Sequence, residues 1–262
     1  MSIIFTCFAG RERYMKILIP YIRRLKVDEV HIWDYTRNDQ DAQYLKKTCS
    51  EFRIFSVSDK STYKEYYNYY TRDRFPDPMT VLIKCDDDIV FIETAQFNAF
   101  IKARRESQAL IMSPIVINHP ICQPIQLQRG ILPGFVRTDF GHDANPNKIH
   151  KYFLKNPKRF IAECKKTTRL SELPLVSQYR FNINFIAILG RDFDILQNEA
   201  IVHDDEAFLG INKHIIIDHH FVVAHMAYTA QRNLGYDETN HLQKYSKLLV
   251  KPNSIPLDNH VL

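Results

Sequence analysis

The sequence contains no apolar run of about 18 residues, the length a helix needs to cross a bilayer, so no membrane span is expected. It also lacks any Cys-x-x-Cys pair. Its five cysteines, Cys7, Cys49, Cys85, Cys122 and Cys164, are odd in number and scattered. That argues against a disulfide framework or a zinc site and suits reduced thiols. The N-terminus has neither a basic stretch nor a long apolar one, so no signal peptide is expected. There is no internal repeat and no low-complexity tract. The net charge of +5 is too mild and too dispersed to indicate a nucleic-acid partner, though it suits an anionic small substrate. These absences together predict a soluble, cytoplasmic protein.

What is present is an α/β pattern. A chain of 262 residues suffices for one large domain with a real core. Apolar runs at residues 3–8, 27–33, 52–57 and 80–84 read as strands. Helical patterns lie between them at 14–25, 41–51 and 61–74. Pro20 inside the first helical pattern predicts a kink or an early stop. This alternation predicts a mostly parallel central sheet flanked by helices. Ligands of such sheets bind beyond the carboxyl ends of the strands. Arg11, Asp34 and Asp86 each fall just past a strand end, so they are expected on one edge.

The second half is less regular. Residues 118–178 hold six prolines and a basic stretch from Lys148 to Lys166, which reads as a binding loop or lid. Strands are expected at 109–116, 181–189 and 215–224. After Ala230 the chain turns polar, as a peripheral helix and a loose end would.

Asp86, Asp87 and Asp88 follow one apolar run and precede another. Three adjacent carboxylates repel, so one must take up a proton unless a cation offsets them. A hard cation such as Mg2+ or Mn2+ takes carboxylate oxygen and leaves positions for water and phosphate. In an extended chain Asp86 and Asp88 would share one side, with Asp87 on the other.

An apolar strand, Asp-x-Asp and a second apolar run resemble the signature of GT-A glycosyltransferases. The resemblance covers roughly residues 1–232 and looks particularly like small soluble enzymes encoded by large algal viruses and some bacteria. It implies a single Rossmann-like GT-A domain over 1–262. Residues 1–116 would be the nucleotide-binding half and 117–232 the acceptor-binding half, with the lid at 118–178. Residues 233–262 would be a peripheral tail. It implies Asp88 as the metal ligand, Asp86 at the ribose or sharing the metal, and Asp87 near the donor sugar. His225, closing an apolar strand, would complete the metal shell, and an imidazole suits Mn2+ better than Mg2+. His219 and His220 compete for that role.

By the same resemblance, Asp204 would bind the acceptor and Asp205 would be the base of an inverting reaction. The alternative there is helix capping. Arg11 or Arg13 would contact the base or pyrophosphate, and Asp34 the uracil. Arg180, Asn182 and Asn184 alternate on a strand and would line the donor sugar. Arg232 would reach the diphosphate. The donor would be a UDP-sugar, with UDP-xylose as a guess. The acceptor would be a hydroxyl of an oligosaccharide or glycoprotein glycan. The competing class is a nucleotidyltransferase that makes a sugar nucleotide. Such enzymes usually carry a Gly-rich phosphate loop with a Lys, and Gly10-Arg11-Glu12-Arg13 matches that poorly.

Overall fold

The apolar run after Met1 forms β1 (Ile3–Ala9), the centre of a parallel group. The computed structural model describes residues 1–132, 146–172, 182–197, 214–232, 236 and 238–250. β1 lies between β2 (Glu29–Asp34) and β4 (Val81–Asp86), and β3 (Arg53–Ser56) joins β2, with every pairing parallel. α1 (Glu12–Ile22), α2 (Asp39–Thr48) and α3 (Lys64–Tyr69) make the crossovers. α1 buries Tyr14, Ile17, Leu18, Tyr21 and Ile22. It runs through Pro20 and stops two residues later.

The other half of the sheet is mixed. β5 (Ile89–Ile92) and α4 (Phe97–Glu106) precede β6 (Ile111–Ile117), and β8 (Phe185–Leu189) is inserted antiparallel between β4 and β6. The path is β3-β2-β1-β4-β8-β6-β9-β5, with β9 spanning Ile215–His225. β7 (Leu170–Glu172) pairs with the start of β9, and β5 with its end. Among the described residues, six of the nine strands point the same way. The sheet is therefore mostly parallel, as expected.

Two segments of polar or proline-rich composition carry helices. The segment read as a lid carries three helices among the described residues: α5 (Cys122–Gln128), α6 (Asn147–Lys155) and α7 (Pro157–Lys165). The basic residues there sit on amphipathic helices that bury Ile149, Phe153, Phe160 and Ile161. The polar tail forms α8 (Glu238–Val250), which packs on α1 and buries Tyr245 completely.

Candidate active site

β4 is buried along its length until Asp86, where the chain turns at Asp87 and Asp88 and re-enters the sheet as β5. This places the triplet at the carboxyl edge of the parallel group. Register fixes its neighbours: Phe8 pairs with Asp86, and Ile89 with His225. Asp34 ends β2 opposite Ala9.

The turn divides the three carboxylates differently from an extended chain. Asp86 accepts from Asn184 Nδ2 at 2.7 Å and faces Lys84 Nζ at 3.4 Å. Asp87 receives a fork from Arg11, Nε at 3.0 Å and Nη2 at 2.5 Å, and the Gly10 amide at 3.1 Å. A Cβ at position 10 would lie 3.2 Å from Asp87 Oδ2, so glycine permits this approach. Asp88 Oδ2 takes Arg11 Nη2 at 2.9 Å and lies 3.6 Å from Arg232 Nη1. Its Oδ1 faces His225 Nε2 at 3.4 Å. Asp87 and Asp88 thus share Arg11, while Asp86 is turned away.

Electrostatics separates them further. Burial alone would raise the Asp88 carboxyl, but His225, Arg11 and Arg232 outweigh it and hold it well below the usual carboxylate range. Burial pushes Asp87 up to about 6, with Asp88 and Asp86 adding repulsion against the pull of Arg11. Burial also raises Asp86, opposed by Lys84.

Among the described residues, no three His, Cys, Asp or Glu side chains form a metal-ligand group. Of the expected ligands, Asp88 and His225 face each other, while Asp86 is held by Lys84 and Asn184. Strand periodicity puts Asp86 on the side of Lys84, and Asn184 holds it there. Asp88 and His225 do fit a two-residue site. The imidazole is 2% exposed, its Nδ1 has no hydrogen-bond partner among the described residues, and 3.4 Å is too long for a strong hydrogen bond. One carboxylate and one imidazole suit Mn2+ with water and phosphate oxygens filling the other positions. His219 and His220 do not compete: they bond Ser171 and the Thr167 carbonyl along the β7 side of β9.

The remaining expected residues are distributed as follows. Asp34 accepts from the Thr36 amide at 2.9 Å, Thr36 Oγ1 at 2.5 Å and Lys60 at 3.2 Å. Burial raises its carboxyl, and these donors bring it below the ordinary value. Arg13 turns toward α8, with Nε 3.3 Å from Glu238. Asn182 is buried and donates to Ser113 Oγ at 2.8 Å and the Phe185 carbonyl at 3.1 Å, away from the triplet. Arg180, Asp204 and Asp205 lie outside the described residues.

Sequence reasoning passed over Lys84 and Tyr228. Lys84 is 3% exposed and holds Asp86, a pairing that the period of two on β4 carries. The Tyr228 hydroxyl donates to Asn184 Oδ1 at 3.2 Å, and its ring lies 4.4 Å from that of His225. An aromatic surface borders the site: Phe8 stacks on Tyr63 at 5.0 Å with Lys84 Nζ 4.9 Å from its ring.

A mostly parallel central sheet flanked by helices makes this a Rossmann-like α/β fold, matching that of GT-A structures. The particular likenesses are to solved structures. GalNAc-T7, crystallised with UDP, GalNAc and Mn2+, superposes at a TM-score of 0.52 with 13% identity over 88% of this chain. The chain spans 44% of the length of that protein. TarS 1–349 of S. aureus is similar at a TM-score of 0.46 with 12% identity, over 94% of this chain and 71% of that one. The 4-diphosphocytidyl-2C-methyl-D-erythritol synthase of Anaerococcus prevotii reaches 0.44 with 13% identity, over 95% and 96% of the two chains. At these identities the likeness is one of fold. No family model and no curated protein sequence matches the chain.

Proposed function

We propose that this chain is a metal-dependent, inverting glycosyltransferase that moves a sugar from a UDP-sugar to a hydroxyl of a glycan acceptor. The observation that carries the reading is the facing pair Asp88–His225 at the carboxyl edge of the parallel strands, with Arg11 and Arg232 converging on it. A nucleoside diphosphate needs this combination: donors for a cation and guanidinium groups for phosphate oxygens. The fold likeness to GalNAc-T7, crystallised with UDP and Mn2+, supports the same reading.

Asp88 and His225 would hold Mn2+, or Mg2+ less well, and the ion would offset charge on the leaving diphosphate. Asp34 and the Phe8–Tyr63 surface would receive the uracil, and Arg232 the diphosphate. Asp86, fixed by Lys84 and Asn184, would accept from a ribose hydroxyl. Asp205 would take the proton of the acceptor hydroxyl as its oxygen attacks the anomeric carbon, with Asp204 positioning the acceptor. UDP-xylose is the donor to try first.

The test is incubation of the protein with Mn2+ and a panel of nucleotide sugars, following the released nucleotide. Release of UDP is expected. Release of pyrophosphate when the protein is given UTP and a sugar phosphate would instead make it a nucleotidyltransferase. Absence of both turnover and Mn2+-dependent UDP binding would remove the reading.

A further inference from the structure

Each carboxylate of the triplet already has a cationic partner from within the chain: Lys84 for Asp86, Arg11 for Asp87, and Arg11 with Arg232 for Asp88. The Arg11 contacts are the short ones. Its guanidinium gives both arms of a fork to Asp87 and uses the same Nη2 to reach Asp88 Oδ2 at 2.9 Å. The side chain is placed by the fold rather than by chance. Arg11 occupies the N-cap position of α1 in extended conformation, its carbonyl accepts from the Tyr14 and Met15 amides, and its guanidinium lies 4.5 Å over the Tyr14 ring. It bridges the two carboxylates that would otherwise repel across the turn.

We propose that Arg11 is the resident counterion of this triplet, so that a divalent cation enters only together with a nucleotide diphosphate, which draws the guanidinium onto its phosphate oxygens. The inference rests on the nucleotide-diphosphate reading of the site. Its logic is charge balance. With Arg11 in place, a cation at Asp88 meets a carboxylate whose Oδ2 is already committed and two guanidinium groups that repel it. A diphosphate arriving alone meets three buried carboxylates. Arriving together, the two ligands cancel each other's charge, and Arg11 exchanges one anionic partner for another. Arg11 is then a positioning residue that couples two binding events.

The experiment measures Mn2+ binding from the free-ion electron paramagnetic resonance signal, with and without UDP, for the wild type and Arg11→Met. Wild type is expected to bind Mn2+ weakly alone and at least tenfold more tightly with UDP. Arg11→Met is expected to bind Mn2+ without nucleotide about tenfold more tightly than wild type, the scale of a lost charge-assisted hydrogen bond, and to gain less from UDP. Its thermal midpoint should be lowered and then restored by Mn2+ alone, whereas the wild-type midpoint should respond to Mn2+ only with UDP. Should Arg11→Met fail to fold, Arg11→Lys carries the test. It keeps the charge, loses the fork, and should tighten nucleotide-free Mn2+ binding at least twofold. Nucleotide-free affinity that is unchanged or weaker in the variant overturns the counterion role. No UDP effect on Mn2+ binding in the wild type overturns joint entry and the reading beneath it, while the nucleotide-free comparison still decides what Arg11 does.

Discussion

Three adjacent residues of one type occupy three electrostatic situations, because a turn and a strand aim them at different partners. Asp88 meets His225, Arg11 and Arg232 and is kept ionised against its burial. Asp87 and Asp86 are raised by the same burial with less to oppose it. The permanently charged member is the one suited to hold a cation. Asp88→Ala is therefore expected to abolish Mn2+-dependent UDP binding in titration calorimetry. Asp205→Ala should leave that binding intact and lower turnover by roughly a hundredfold to ten-thousandfold, the range of a lost general base. Normal turnover in Asp205→Ala would place the base elsewhere.

At the scale of elements, legibility followed periodicity. The strands β1, β2, β3 and β4 were readable because apolar runs alternate with helical patterns, and their parallel order puts Arg11, Asp34 and Asp86 on one edge as expected. The antiparallel insertion of β8 was not readable, since strand order depends on long-range pairing that no local pattern carries. α4 has apolar Phe97, Phe100 and Ile101 at helical spacing, but the position that would continue the stripe is Arg104, a fully buried cation, which breaks it. The helix expected after Ala230 is present as α8, and although its composition is polar, a few residues anchor it. Tyr245 is fully buried, its hydroxyl lies 2.8 Å from His150 Nδ1, and Glu238 receives the Tyr14 hydroxyl. Tyr245→Phe should cost about 1–3 kcal/mol, for one hydrogen bond and a stranded ring nitrogen. Tyr245→Ala should cost about 3–5 kcal/mol in urea titration. A loss under about 1 kcal/mol for Tyr245→Ala would mean that α8 contributes little after all.

For the whole molecule, the pH dependence of stability is set by buried groups that pull in opposite directions. His150 bonds Tyr245 and the Met226 carbonyl as a neutral ring, and burial, with His241 adding to it, depresses it from 6.5 to about 3. The unfolded chain therefore binds a proton that the folded chain refuses. The stability His150 contributes is present above 6.5 and is lost as pH falls toward 3. His219 acts the same way, lowered to about 4 by burial and by Arg129 and His220. Glu93 is the reverse case. Burial raises it from 4.5 to about 7 despite Lys165 at 2.8 Å, and nearby Asp218 adds repulsion. Its folded state holds the extra proton, so its contribution is fully present below 4.5 and is lost as pH rises through 7. Each group acts with a slope near 1.4 kcal/mol per pH unit inside its window. Between pH 7 and 5 the Glu93 gain offsets about one of the two histidine losses, so wild-type stability should fall gently over this range. Single substitutions should tilt the profile in opposite senses. His150→Gln removes a loss, so its stability should rise as pH falls from 6.5 to 5 relative to wild type. Glu93→Gln removes a gain, so its stability should fall over the same range. Urea unfolding of the three proteins at pH 7, 6 and 5 measures both slopes. Parallel profiles for all three would mean that neither group differs in protonation between the folded and unfolded chain. Below 4.5 the Glu93 gain is complete while the His150 loss continues, and there the wild type should begin its steep acid unfolding.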